Sequence, residues 1–396
     1  MIRLGVIGFG TRIQGLLEIF PLFAPEVKLA AITDLKSPAE LAALTAGKAY
    51  AAEDLRYFSD ADAMLDAGQL DGILIGTRCS LHTQFALKVY QLGLPLFLEK
   101  PVATDLADLR RLRDAGMKHR DRTVVSFPLR LTNLCQETKA IIDSGILGPI
   151  EHAQAWNNVP YGRVYFFEWY RDEQETGGLF LQKATHDFDY LNFLLDREPV
   201  WIAAMKSKQI YRGDHPAGRR CDGCPETGAC PESPRNLYTL GGEWERLPAE
   251  TPYQCGFATD TGNEDSGSAL VEYEGGMHLA YSQNFFVRKT AGRRGARLMG
   301  HRGTVEFDWY TNEVKVMMHF QAKTEVRTFA PAKAGHGGGD LALAMNFIDV
   351  IRGVAPSLAP LDAGLRSVYM CLAAKASAEN HTFRPLDFGT FLAGGE

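Results

Sequence analysis

Over about the first 120 residues, short apolar runs alternate with amphipathic stretches. Residues 3–7, 28–33, 70–75, 94–98 and 123–127 read as strands, and Phe85, Val89 and Leu92 recur between them at helical spacing. Leu106, Leu109 and the aliphatic stem of Arg113 repeat the same pattern. Strand-length runs alternating with helical patterns predict βαβ units and a parallel sheet. Beyond residue 126 the rhythm changes. Residues 269–273 and 277–285 flank Gly275-Gly276, a hairpin signal, and residues 304–308, 314–319 and 324–329 continue a meander. The expectation is an α/β chain with a doubly wound parallel sheet over residues 1–125. An α/β domain with an open, mostly antiparallel sheet is expected over residues 126–396. Asp340, after Gly337-Gly338-Gly339, is placed to cap a helix through Val350. Residues 364–378 carry Leu365, Val368, Leu372 and Ala376 on one helical face.

At 396 residues the chain exceeds the roughly 250 to 300 that one core serves, so composition agrees with two domains. Its 45% hydrophobic and 23% charged residues are ordinary globular values. A net charge of -6 argues against a nucleic-acid partner, and Arg293-Arg294 reads as a solvated turn. No apolar run approaches the roughly 20 residues that span a bilayer, which predicts a protein without membrane contact. The start of the chain has no secretory layout, and seven cysteines do not resemble a secreted disulfide framework, so a cytoplasmic location is expected.

The first strand runs into Gly8-Phe9-Gly10-Thr11-Arg12-Ile13-Gln14-Gly15 and then a helix. Glycines at such a turn let backbone amides approach a pyrophosphate. Ile13 stands where the third glycine of GxGxxG would fall, and Gly15 is expected to relieve helix packing instead. The second strand ends at Asp34, where an acid accepts bonds from the ribose hydroxyls of NAD and repels the extra phosphate of NADP. Lys36 nearby could neutralise that phosphate and leaves NADP open. Turn, strand, helix and acid in this order predict a dinucleotide site.

Glu99-Lys100-Pro101 follows a strand, after Gly76-Thr77-Arg78-Cys79-Ser80-Leu81-His82. With Phe127 to Arg130, Gly177-Gly178 and His186-Asp187-Phe188-Asp189, these segments resemble the Gfo/Idh/MocA family of glucose-fructose oxidoreductase and inositol dehydrogenase. The resemblance implies a Rossmann domain, then an α/β domain, and NAD(P)-dependent oxidation of a hydroxyl on a sugar, cyclitol or related polyol. It implies that Lys100 bonds a nicotinamide ribose hydroxyl and a substrate hydroxyl, and that His186 carries the proton. Thr77, Arg78, His82 and Glu99 would line the cofactor cleft. Arg130, Trp156, Asn157, Tyr161, Arg171, Lys183 and Asp187 fall where the family builds its substrate wall. The family pairs the histidine with an aspartate four residues earlier, and this chain has Gln182 there. Gln can orient an imidazole but cannot stabilise the imidazolium by charge, and Lys183 would lower the histidine's basicity or bind an anionic substrate group. Two other outcomes remain open at this point: a glycosidase or lyase using transient oxidation, and a non-enzymatic NAD-binding sensor.

Cys221-Asp222-Gly223-Cys224 and Cys230 lie in a Gly- and Pro-rich loop near residues 215–235. CxxC with a third cysteine suits tetrahedral zinc, with Cys255 as first choice for the fourth ligand and His215 as second. Unconnected thiols are the alternative. A meander with few helices exposes one sheet face, which predicts a homodimer or homotetramer.

Overall fold

The computed structural model describes residues 1–233, 236, 253–330 and 335–395. Residues 234 and 235, at the end of the cysteine-rich loop, lie outside the described residues.

The first six strands are β1 (Ile2–Ile7), β2 (Val27–Thr33), β3 (Ala51–Phe58), β4 (Gly72–Ile75), β5 (Leu96–Leu98) and β6 (Thr123–Val125). They form one parallel sheet in the order β3-β2-β1-β4-β5-β6. Strand order reverses between β1 and β4, and open α/β sheets bind ligands at the carboxyl ends beside such a switch. The central strands are apolar because helices cover both faces: α1 (Thr11–Leu17), α2 (His82–Leu92) and α3 (Leu106–Gly116) follow β1, β4 and β5. β3 escaped the sequence reading, because an edge strand bearing Glu53, Asp54 and Arg56 has no apolar run.

The second sheet has nine strands in the order β14-β13-β12-β11-β7-β10-β9-β8-β15. These are β7 (Ile150–Asn158), β8 (Pro199–Ser207), β9 (Ser266–Tyr273), β10 (His278–Asn284) and β11 (Arg293–Gly300). β12 (Gly303–Asp308), β13 (Glu313–Met318), β14 (Thr324–Thr328) and β15 (Arg384–Pro385) complete it. All pairings are antiparallel except β7 with β10. Arg293 and Arg294, expected in a solvated turn, open the central strand β11. The Gly275-Gly276 hairpin joins β9 to β10 as expected.

One face of this sheet is covered by α4 (Ala184–Leu195) and the long α6 (Leu361–Asn380). Between β14 and α6 the chain returns to the first sheet. There α5 (Gly339–Arg352) sets Phe347 and Ile351 against Gly72 of β4. Gly338 rather than Asp340 occupies the N-cap of α5, and the Asp340 side chain is spent on ion pairs instead. A single apolar core consequently runs from Leu4 through Phe127 and Phe188 to Phe391. The insert between β8 and β9 packs on a separate cluster that includes Phe166, Phe167, Tyr211 and Phe285.

Candidate active site

At the end of β1, Gly8 has φ +87°, and a Cβ there would lie 2.7 Å from the backbone of Gly76 and Thr77. Only glycine fits this crossing of the two strand ends. The substitution of Ile13 is accommodated from the other side: its Cγ1 would sit 2.2 Å from a Cβ on Gly76. Gly15 plays no such part, since a Cβ at that position meets nothing. Helix α1 begins after Gly10 without a side-chain cap, so the amides around Thr11 are available to an anion. Phe9 is buried, and its N–H donates to Asp34 Oδ2 at 2.6 Å. Lys36 donates to Asp34 Oδ1 from both its N–H (2.9 Å) and its ammonium (3.1 Å). Burial pushes the Asp34 carboxyl upward, but these donors outweigh it and hold it below the usual range. Glycine turn, uncapped helix and carboxylate together fit the diphosphate and adenosine ribose of a dinucleotide.

Arg12 points across the cleft rather than toward that turn, donating to Glu99 (3.0 Å), Ser126 (3.0 Å) and Asp340 (2.7 Å). It ties α1 to the end of β5 and to α5. His82 is buried below the same loop, with Nδ1 2.7 Å from Pro101 O and Nε2 3.3 Å from Thr77 O. It therefore positions the loop bearing Lys100 rather than facing a ligand. Arg78 lies on the Trp169 ring at 3.7 Å, and the Thr77 hydroxyl donates to the Arg78 carbonyl.

Lys100 follows β5, and its ammonium donates to the Gln182 carbonyl at 2.7 Å. Burial, then the nearby Lys183, push it down to about 8. His186, on the first turn of α4, is buried with Nδ1 unpartnered. Burial, and then Lys100, Arg294, His336 and Lys183, hold its basicity well below the ordinary imidazole value. Gln182 is buried beside them with its Oε1 also unpartnered, so the amide does not orient His186. Lys183 is buried against two phenols, at 2.5 Å from Tyr161 Oη and 3.1 Å from Tyr165 Oη. Burial and then Arg294 push its ammonium down to about 7.

Other expected substrate contacts are placed differently. Trp156 lies on the opposite sheet face, stacked under Arg293 at 3.9 Å, because adjacent strand residues point to opposite faces. Its neighbour Asn157 points inward but donates to Asp187 Oδ2 at 2.7 Å. Arg130 is held by Asp189 at 2.9 Å and by the Leu358 carbonyl at 3.2 Å. Arg171 clamps the insert through Gln254, Asp260 (2.6 Å) and Thr261 (2.7 Å). Asp187, fully buried, forms an ion pair with Arg294 at 2.7 Å and accepts from Tyr281 at 2.8 Å. These side chains are committed to the fold around the site.

The cysteine insert departs from expectation too. Among the described residues no group of three or more His, Cys, Asp or Glu side chains is disposed to hold a metal ion. Cys221 turns its thiol to the Gln254 carbonyl at 3.9 Å, while Cys224 accepts from Arg219 at 3.1 Å. Cys230 and Cys255 are also free thiols, so the described residues do not gather the expected zinc ligands into one group. His215 is engaged by Arg219 at 2.6 Å and Glu226 at 3.4 Å.

Two site residues were not legible in the sequence. Arg294 was hidden in a basic pair, although a strand beginning there would have turned one of the two arginines inward. His336 sits in the glycine run, 2.9 Å from Asp340 and with its ring centroid 6.2 Å from that of His186. A histidine flanked by glycines and followed by an acid four residues later was the available signal.

Residues 2–127 match the model of the oxidoreductase family with an NAD-binding Rossmann fold, and residues 135–306 match the GFO/IDH/MocA C-terminal domain. A Bacillus subtilis (strain 168) protein named as oxidoreductase YteT is 26% identical over 309 residues, 70% of this chain and 72% of that one. Inositol 2-dehydrogenase of Pseudomonas fluorescens (strain Pf-5) is 29% identical over 52% of this chain and 57% of its own length. The solved structure of levoglucosan dehydrogenase in complex with NADH shares the fold, with TM-score 0.74 and 17% identity over 98% and 99% of the two chains.

Proposed function

Because the chain belongs to the GFO/IDH/MocA family of NAD-binding oxidoreductases, we propose that it moves a hydride between NAD and a hydroxyl-bearing carbon of a sugar, cyclitol or related polyol. The observation that carries this reading is the meeting of Lys100 and His186 at one end of the parallel sheet, where Lys100 donates to the Gln182 carbonyl and is the largest charge influence on His186. Residues 1–125 would bind the cofactor and residues 126–396 the substrate.

The nicotinamide, when bound, supplies the hydride acceptor or donor. Lys100 would donate to the substrate oxygen at the reacting carbon, stabilising the negative charge that develops there during oxidation. His186 is neutral at pH 7, so its unpartnered Nδ1 can accept a proton. Gln182 supplies no charge to stabilise the resulting imidazolium. Asp34 at the end of β2 supports NAD over NADP, since a phosphate would meet a carboxylate there.

The exposed face of the second sheet supports a homo-oligomer. It carries a cavity of about 740 Å³ lined by Trp156, Ala203, Met205, Leu270 and Phe383, and an apolar face of this kind is usually buried by a partner. A second copy of this chain is the proposed occupant.

The functional test is a screen of sugars, inositols and glycosides that follows NADH absorbance together with product identity. Oxidation with stoichiometric NADH is expected. His186→Ala and Lys100→Met should each lower turnover by about 100- to 10,000-fold while NAD still binds. Near-normal turnover in the His186 variant would remove it from the mechanism.

A further inference from the structure

Arg12 and Arg294 each have carboxylate partners, Glu99 and Asp340 for the first and Asp187 for the second. The two lysines of the site do not. Lys100 bonds a backbone carbonyl, and Lys183 bonds two tyrosine hydroxyls. Among the described residues no carboxylate lies within ion-pair distance of Lys183, although its side chain is 94% buried, with a relative exposure of 6%. A buried ammonium whose direct partners are neutral hydroxyls is costly unless something anionic completes it. The strongest charge influences on His186 next door are Lys100, Arg294, His336 and Lys183; Arg294 and His336 have carboxylate partners in Asp187 and Asp340, and the two lysines have none within ion-pair distance among the described residues. The oxidised nicotinamide would add a further positive charge to the same space.

We propose that Lys183, with the Tyr161 and Tyr165 hydroxyls beside it, binds a carboxylate on the substrate, and that the substrate class is therefore a polyhydroxy acid such as an aldonate or uronate. This rests on the reading of the site as one for hydride transfer. Lys100 is reserved for the reacting oxygen, and the charge of Arg294 is paired with Asp187, which leaves Lys183 as the ammonium with neither a carboxylate of its own nor a part in the hydride step. One ammonium and two phenols match a singly charged, planar group. A phosphate dianion would call for more donors, Arg among them.

The geometry brings a pH signature. The groups facing Lys183 are Tyr161 and Tyr165 from the segment after β7, Asp187 and His186 from α4, Arg294 from β11, and Lys100 after β5. Without ligand the ammonium is held down near 7. A carboxylate prefers the charged form, so acid binding takes up a proton and weakens as pH rises through about 7.

The test uses the full chain saturated with NADH and two matched pairs, gluconate with sorbitol and glucuronate with glucose, titrated by NADH fluorescence and by thermal shift. At least one acid should bind about tenfold or more tightly than its neutral partner. Lys183→Met should abolish that preference and Lys183→Arg should keep most of it. In the unaltered protein the preference should shrink with rising pH, which serves where a variant fails to fold. Equal binding of acid and neutral members, no acid binding, or a preference surviving in Lys183→Met would each overturn the assignment. Tighter binding of glucose 6-phosphate than of glucuronate would overturn the carboxylate in favour of phosphate. Failure of the underlying reading would look different: NADH itself would not bind, or no bound polyol of either kind would be oxidised.

Discussion

Replacing Arg294 by Met tests whether the buried ion pair holds the site together. Arg294 approaches Asp187 Oδ1 from Nε at 2.8 Å and from Nη2 at 2.7 Å, while Oδ2 accepts from Asn157 and Tyr281. Two unit charges about 3.5 Å apart interact by about 5 kcal/mol at an effective dielectric near 20. The measured cost of removing one partner of a buried pair, about 3–5 kcal/mol, agrees. Arg294→Met leaves the Asp187 carboxylate, which has no exposed surface, with only two neutral donors. For a cooperative unit of roughly 270 residues, unfolding with about 2.1 cal/mol/K per residue, that loss lowers the melting temperature by roughly 5 to 9 °C. Asp187→Asn alone should also destabilise, because it strands the guanidinium. The double variant should recover part of the loss, with a coupling of about 1.5 kcal/mol or more. Calorimetry or thermal-shift melting of the four proteins closes the cycle. A loss below about 1 kcal/mol in Arg294→Met, or strict additivity in the double variant, would show that the pair does not bear on stability.

Three further outcomes follow from the same geometry. Lys100, pushed down to about 8, should serve as a cation below that pH, so the oxidation rate should fall as pH rises through about 8. The sign for stability is opposite: the folded-state value lies below the unfolded one, so folding penalises the charged form, and stability should rise with pH between about 8 and the ordinary lysine value of 10.5. A rate that climbs steadily past that range would exclude a charged Lys100. Asp34→Ala should narrow the preference of NAD(H) over NADP(H) and loosen the Phe9 turn it now holds; isothermal titrations finding NADPH already tighter in the unaltered protein would reverse the assignment. Leu270→Asp, at a residue 55% exposed on the outer face of the second sheet, should convert the proposed oligomer to a 43.7 kDa monomer by light scattering. An unchanged mass would move the interface elsewhere.

The parallel sheet was legible because its central strands are buried on both sides and read as unbroken apolar runs; β3, an edge strand with charged residues, was not. In the second sheet the strands beside Gly275-Gly276 announced themselves through turn chemistry. β7 and β11, which carry Asn157 and Arg294, are central yet polar. They pair with each other across a long stretch of sequence, and at Asn157 and Arg294 the inward side chains meet other polar groups although their neighbours Ala155 and Ala296 join the apolar core. Hydrophobic periodicity does not reveal a buried position that is filled by an ion pair. For the same reason the expected substrate contacts Arg130 and Arg171 could not be told from structural clamps. Their partners Asp189, Asp260 and Thr261 lie many tens of residues away.

The departure at Gln182 and the lysine beside it make better sense as one change than as two. The family resemblance implies an aspartate at position 182, whose negative charge would steady a protonated His186. Here that charge is absent and an additional buried cation stands next to it, so the largest charge influences on His186 are all positive. Held far below its usual basicity, such a histidine takes a proton reluctantly. A substrate that brings its own carboxylate to Lys183 would supply the missing negative charge from the ligand side, offsetting Lys183 and raising the basicity of His186 only when the site is filled. The proton relay would then be completed by the substrate rather than by the chain. Gln182→Asp separates the two possibilities. If the carboxylate of the ligand does this work, the added aspartate should speed oxidation of a neutral polyol much more than oxidation of the matching acid. A uniform gain for both would mean that the ligand contributes nothing to the charge balance at His186.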